Sequence, residues 1–283
     1  MNYECAICHI KAIHKRMEKF GVAEEKRNQL FSTLIKDLAE VDLEKSYSPE
    51  VARNLIESIK DHINITDPYA QEKQQSNSEL MAHYDAFKKK IISAENPFET
   101  ALRLAIAGNI IDFGPGHKFD IWETIDHVFS STYAIDHSKQ LKAEIEKAKT
   151  ILYLGDNCGE IVLDKLFIET INHPNIYYAV RGKAVLNDAT EKEANEVGIP
   201  EVAKLLSNGD DTPSTLLHRV SDDFMEIYKS ADLIISKGMG NFEGLMDETD
   251  PRIFFLMMVK CQVIGNKIGA DKGDFVVKRS VQE

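Results

Sequence analysis

The chain has 283 residues, enough to bury a large core in one domain or two, and its 43% hydrophobic and 28% charged content is that of a globular protein. A formal net charge of −12 argues against nucleic-acid binding, which calls for a basic face, yet leaves room for a small anionic substrate in a locally positive pocket. No apolar run reaches the roughly 18–20 residues that span a bilayer. The first residues lack a basic stretch followed by an apolar one, so no secretory signal is expected, and four cysteines in this length point to a reducing cytoplasm.

The first hundred residues read as helical, with few glycines and apolar residues at helical spacing, as in Leu30, Leu34, Ile35 and Leu38. Ser48-Pro49 is a cap and first-turn proline for a further helix. Gln71 to Ser78 is polar enough for a loop or a solvated helix face. Pro97 opens an apolar helix through Ala101, Leu104, Ala105 and Ala107, which Gly108-Asn109 ends before a turn at Asp112-Phe113-Gly114-Pro115-Gly116. After a connecting region with Trp122 and Phe129, a charged helix is predicted from about Ser138 to Lys147.

From Thr150 short apolar runs alternate with helical patterns. Strands are predicted at Ile151–Leu154, Ile176–Val180, Leu233–Ser236, Ile253–Val259 and Phe275–Val277. That alternation predicts an α/β layer with a largely parallel sheet. Ligands of such sheets bind where strands end and helices begin.

The first of these strand ends carries Gly155-Asp156-Asn157-Cys158-Gly159-Glu160. Asp156, Asn157 and, one turn on, Glu160 are hard oxygen donors suited to a divalent cation holding a phosphate. Asp156 or Asn157 as a helix N-cap explains the same pair, and this segment alone leaves both readings open. The second strand ends in Arg181-Gly182-Lys183, then Asn187-Asp188, which sit before another helix and invite the same capping account. Both pairs, however, would lie on one edge of a parallel sheet, where Asp156, Asn157 and Asp188 can supply three oxygens to one ion. Such donors favour Mg²⁺ or Mn²⁺ over zinc.

Leu233–Ser236 ends in Lys237-Gly238-Met239-Gly240-Asn241, with Glu243 close behind. The glycines let backbone amides approach an anion, a helix start adds its dipole, and Lys237 adds charge, so a phosphate cradle is predicted. Lys260 at the next strand end ranks below Lys237 on the residues alone, since a lysine there is usually solvated. For Asn109 and Asp112 a C-cap and turn is the better account. Cys5-Ala6-Ile7-Cys8-His9 has the spacing of c-type haem attachment, which needs export, and a zinc site would need a second Cys-x-x-Cys. Two small buried residues one helical turn apart is the expectation. Nucleophile-elbow, P-loop and dinucleotide-binding patterns are lacking, and Cys158 stands where a haloacid-dehalogenase-type phosphatase would have its second aspartate.

Ala107–Gly114, Gly155–Glu160, Arg181-Gly182 with Asn187-Asp188, Ser236–Glu243 and Lys260-Cys261 occur in that order, and together they resemble the metal-dependent damage-control phosphatase family. The N-terminal Cys-x-x-Cys looks like its short microbial branch. The resemblance spans nearly the whole chain. It implies an all-helical N-terminal domain over residues 1–100 and a Rossmann-like α/β/α catalytic domain over 101–283. It also implies phosphate removal from small, damaged or surplus phosphometabolites, sugar phosphates among them, with Mn²⁺, Mg²⁺, Co²⁺ or Ni²⁺ as cofactor. By motif, metal ligation falls on Asp156, Asn157 and Asp188, and substrate contacts on Ser236, Lys237, Gly238, Gly240, Asn241 and Lys260, with Arg181, Glu160 and Asn109 lining the pocket. Pro213-Ser214, where the family more usually has Pro-Gly, bears on the shape of the loop from Asp210 to Thr215. A non-catalytic metabolite-binding module is the alternative, and a kinase would need a nucleotide site that the sequence does not offer. The partner expected is a small phosphorylated metabolite, without nucleic acid or membrane; oligomeric state is not set by these residues.

Overall fold

The computed structural model describes residues 1–108 and 121–281. Six helices come first: α1 (Tyr3–Lys19), α2 (Glu24–Ala39), α3 (Ser48–Ile63), α4 (Ala70–Ala82), α5 (Tyr84–Ile92) and α6 (Pro97–Ala107). Helix α7 (Ile121–Ser130) leads to β1 (Tyr133–Asp136), α8 (Ser138–Lys147), β2 (Ile151–Leu154), α9 (Glu160–Ile171) and β3 (Ile176–Val180). Then come α10 (Glu191–Glu196), β4 (Lys204–Ser207), α11 (Asp222–Ser230), β5 (Leu233–Lys237) and α12 (Gly238–Leu245). The described chain closes with β6 (Ile253–Met258), α13 (Gln262–Ile268) and β7 (Phe275–Arg279).

Among the described residues the sheet has seven strands in the order β1-β7-β6-β5-β2-β3-β4. All neighbours are parallel except β6 and β7, which run antiparallel. Successive strand residues alternate between two cores, as a pleated strand requires. Ile151 and Tyr153 face a core completed by α5, α6 and α9, while Leu152 and Leu154 face one completed by Phe224 of α11, Phe242 and Leu245 of α12, and Ile264 of α13. A third cluster, from Ile13 to Ile59, belongs to α1–α3 alone, whereas Leu80, Phe87, Ile91 and the apolar face of α6 join the sheet core.

The five predicted strands and the helices at Pro97 and Ser138 are present. Several expectations need correction. Helix α3 starts at Ser48 with Tyr47 in the cap position, so Ser48 is not a cap; its hydroxyl lies 3.3 Å from His9 Nε2. Gln71–Ser78 is helical and half docked, with Lys73, Ser76 and Asn77 buried. Cys5 is half-buried and Cys8 exposed on α1, so the pair is not the buried one expected. Among the described residues, no helix is long and apolar enough to cross a membrane.

Candidate metal and phosphate site

From β2 the chain runs to β3 on one side, and from β5 it runs to β6 on the other. The crevice at the carboxyl ends of β2 and β5 is therefore where connections diverge, the usual ligand position in an open α/β sheet. The loops after β2, β3, β5 and β6 deliver Asp156, Asp188, Gly238–Asn241 and Lys260 to this edge.

Backbone pairing fixes the first two loops against each other. Asn157 and Asp188 form an isolated antiparallel bridge; the Cys158 N–H donates to the Asn187 carbonyl at 2.8 Å and the Ala189 N–H to the Asp156 carbonyl at 2.9 Å. Neither acidic pair caps its helix. The N-cap of α9 is Gly159, whose N–H donates to Asn77 Oδ1 at 2.6 Å. Helix α10 is capped by Thr190 in a capping box with Glu193. The capping account thus falls away, and two carboxylates with little exposed surface remain beside an amide.

Burial pushes the Asp156 carboxyl up to about 7, with the Asp188 and Glu160 carboxylates adding to the rise and Lys260 and Arg181 opposing it. Asp188 is also raised by burial, against the pull of Arg181. Arg181 is buried and spent on structure: Nε donates to Asp188 Oδ2 at 2.7 Å, Nη1 to the Ser214 carbonyl at 2.7 Å and Nη2 to Asn241 Oδ1 at 3.0 Å. Arg181 Nη2 also stands 3.7 Å from Asp156 Oδ1. Asn241 returns its own N–H groups to the Gly155 and Lys237 carbonyls.

The donor set suits a hard divalent cation: two buried carboxylates and an amide oxygen in two loops zipped together, with Arg181 bonded to one oxygen of Asp188. The set contains only two acidic groups. Among the described residues, no three His, Cys, Asp or Glu side chains cluster to hold a metal.

Lys237 departs from expectation. It has no exposed surface, and its ammonium meets three acceptors, Glu160 Oε1 and Asp164 Oδ1 at 2.5 Å each and the Ala105 carbonyl at 2.8 Å. An ammonium has three donors, so Lys237 is not placed to take a phosphate oxygen as well. Lys260, by contrast, is exposed, and its charge acts on the Asp156 carboxyl. Ser236 is buried, and its hydroxyl lacks a hydrogen-bond partner. Gly238 and Gly240 start α12, and a Cβ on Gly240 would lie 2.5 Å from the Pro213 carbonyl oxygen. Ser214, the departure noted in that loop, donates its hydroxyl to the Gly240 carbonyl at 2.8 Å and so ties the loop to the start of α12. Asn109 and Asp112 lie outside the described residues.

Sequence reading missed Asp164, Asn77 and Lys73. Asp164 follows Glu160 by four residues in the otherwise apolar Ile161–Phe167 stretch apart from Lys165, a pattern that marks a buried acidic face. Lys73, paired with Asp67 and Glu193, and Asn77 sit in a polar helix whose composition gives no such sign.

A profile of the damage-control phosphatase ARMT1-like domain matches residues 1–276. A damage-control phosphatase of Pyrococcus horikoshii is 32% identical over 99% of this chain and 98% of its own. Another, from Archaeoglobus fulgidus, is 27% identical over 97% of each chain. The crystal structure of a DUF89 family protein from P. horikoshii superposes with a TM-score of 0.92 at 30% identity, covering 99% of both chains. These likenesses support a phosphatase role, and the chain belongs to the damage-control phosphatase family.

Proposed function

We propose that this chain is a divalent-metal-dependent phosphomonoester hydrolase acting on small phosphometabolites, such as sugar phosphates or damaged phosphorylated cofactors. The observation that carries the reading is the Asn157–Asp188 bridge, which brings Asp156, Asn157 and Asp188 together at the divergence point of the sheet. These three residues would hold Mn²⁺, Mg²⁺, Co²⁺ or Ni²⁺, which supplies charge neutralisation at the phosphoryl oxygens. Arg181 fixes Asp188 in place for that work. The start of α12, with Gly238, Gly240 and Asn241, offers backbone N–H groups and the positive end of the helix to the remaining oxygens. Lys260 adds an exposed cation at the rim. Asp156 serves either as nucleophile or as base for a water, and both roles require its carboxylate.

A negatively charged, single-ester ligand fits this reading better than nucleic acid or a membrane surface, given the net charge of −12. Cytoplasmic location, expected from cysteine usage, belongs to the same proposal. So does the division into a helical N-terminal domain and a Rossmann-like catalytic domain, supported up to Ile63 by the separate core of α1–α3.

The test is a screen of sugar phosphates and phosphorylated cofactor fragments for phosphate release, with and without each of the four cations. Release that a chelator abolishes and Asp156→Ala eliminates is expected. Tight ester binding without turnover would instead favour a non-catalytic binding module, and chelator-resistant release would refute the metal site.

A further inference from the structure

Beneath the site lies a polar network sealed in the apolar core. Asp164 is fully buried on α9 and takes three donors: the Tyr153 hydroxyl on Oδ1 at 2.7 Å, the Tyr178 hydroxyl on Oδ2 at 2.8 Å and Lys237 Nζ on Oδ1 at 2.5 Å. The two tyrosine rings stack with centroids 5.2 Å apart. Lys237 passes the connection to Glu160 Oε1 at 2.5 Å and anchors on the Ala105 carbonyl of α6. Glu160 then presents its other oxygen, Oε2, to Asn157 Nδ2 at 3.5 Å, while Asp156 Oδ2 takes the same amide nitrogen at 2.8 Å.

A side-chain amide flanked by carboxylates has a preferred direction. Its NH₂ turns toward them, because the reversed rotamer would set a carbonyl oxygen against two acceptors. With its nitrogen held at Asp156 Oδ2 and Glu160 Oε2, the amide oxygen of Asn157 is kept from facing those two atoms. Leaving Lys237 or Asp164 unmatched in a site with no exposed surface would cost far more than an exposed pair, which keeps the chain in one arrangement. Tyr178 extends the support to the loop itself: a Cβ on Gly155, the residue before Asp156, would lie 2.5 Å from the Tyr178 hydroxyl.

We infer that Asp164 and Lys237, backed by Tyr153 and Tyr178, are positioning residues that hold Glu160 and through it set the Asn157 amide with its oxygen presented as a ligand. Only the last clause, the oxygen as a ligand, rests on the proposed metal site. Lys237 therefore serves the reaction from behind the site. Outer partners of this kind typically change metal affinity by about ten- to hundredfold when removed.

The test measures Mn²⁺ affinity by electron paramagnetic resonance of the free ion, which needs no turnover. Asp164→Asn should weaken Mn²⁺ binding about tenfold or more, as should Glu160→Gln. The double variant should bind no more weakly than Glu160→Gln alone, because Asp164 acts through Glu160. Unchanged affinity in Asp164→Asn, or fully additive losses in the double variant, would overturn the inference. Should Asp164→Asn fail to fold in a thermal melt, Tyr153→Phe removes one donor and should give a smaller loss in the same assay; no loss there counts against the inference. A wild type that binds no Mn²⁺ sinks the metal reading instead. Crystal structures of wild type and Asp164→Asn, or Tyr153→Phe in its place, then judge the positioning: Glu160 and the Asn157 amide unmoved refutes it, and a displaced Glu160 carboxylate upholds it.

Discussion

Replacing Asp156 by asparagine should make the cation-free protein more stable, and more so as pH rises. In the folded chain its carboxyl stays protonated to about 7, against an ordinary value of 3.8. The folded state therefore binds more protons than the unfolded state across that interval, and stability falls as pH climbs through it. At about 1.4 kcal/mol for each pH unit, 7 less 3.8 gives a deficit of about 4 kcal/mol at pH 8 as an upper bound. That figure belongs to the facing carboxylates together, since Asp188 is raised beside it. Asparagine keeps the shape and removes the charge. A chain of this size moves its melting temperature by roughly 2–4 °C per kcal/mol, so a gain of several degrees is expected at pH 8, shrinking toward pH 4. Thermal melts in chelator across that range provide the assay. Saturating Mn²⁺ should then reverse the order, raising the wild type by mass action and the variant little. A variant no more stable than wild type at pH 8, or a gap that does not narrow on acidification, would refute the reasoning.

Lys260→Ala should raise KM or lower turnover on a good substrate about tenfold, the low end for a charge-assisted contact because this side chain is exposed; unchanged kinetics would remove Lys260 from the rim. Gly240→Ala places a methyl 2.5 Å from the Pro213 carbonyl and should cost about 1–3 kcal/mol in denaturant melts, with weaker turnover as the Pro213-Ser214 loop shifts. The Cys5→Ser/Cys8→Ser double variant should keep its metal-dependent phosphate release, since both cysteines lie on α1 outside the site loops; loss of bound metal together with turnover, by elemental analysis, would contradict this.

The strands of the sheet centre were legible because each is a run of buried apolar residues closed by a glycine or charged turn, as at Ile151–Leu154. The edge strands were not. Tyr133–Asp136 alternates half-buried and exposed residues, and Lys204–Ser207 is nowhere fully buried, so neither stands out from loop composition. Asp156, Asn157 and Asp188 could be picked out by chemistry and strand-end position, but what released them from capping was Thr190 and Gly159 taking the caps, a contest between neighbours that spacing cannot decide. Lys237 illustrates the other limit. A lysine at a strand end reads as solvated or ligand-facing, and only the tertiary meeting of α6, α9 and β5 shows it enclosed by Ala105, Glu160 and Asp164.

Strand β7 bears on how the molecule is made. It is the last strand in chain order, yet it lies inside the sheet between β1 and β6, joined to both. During synthesis β1 leaves the ribosome with no neighbour, and its one strand partner among the described residues follows about half a chain later. The α1–α3 core, made of near neighbours in sequence, can close early, whereas the sheet stays open along one side until Phe275–Arg279 arrives. Through that interval β1 offers an unpaired edge to other chains, whereas β6, made shortly before β7, waits only for the short α13 segment to be completed.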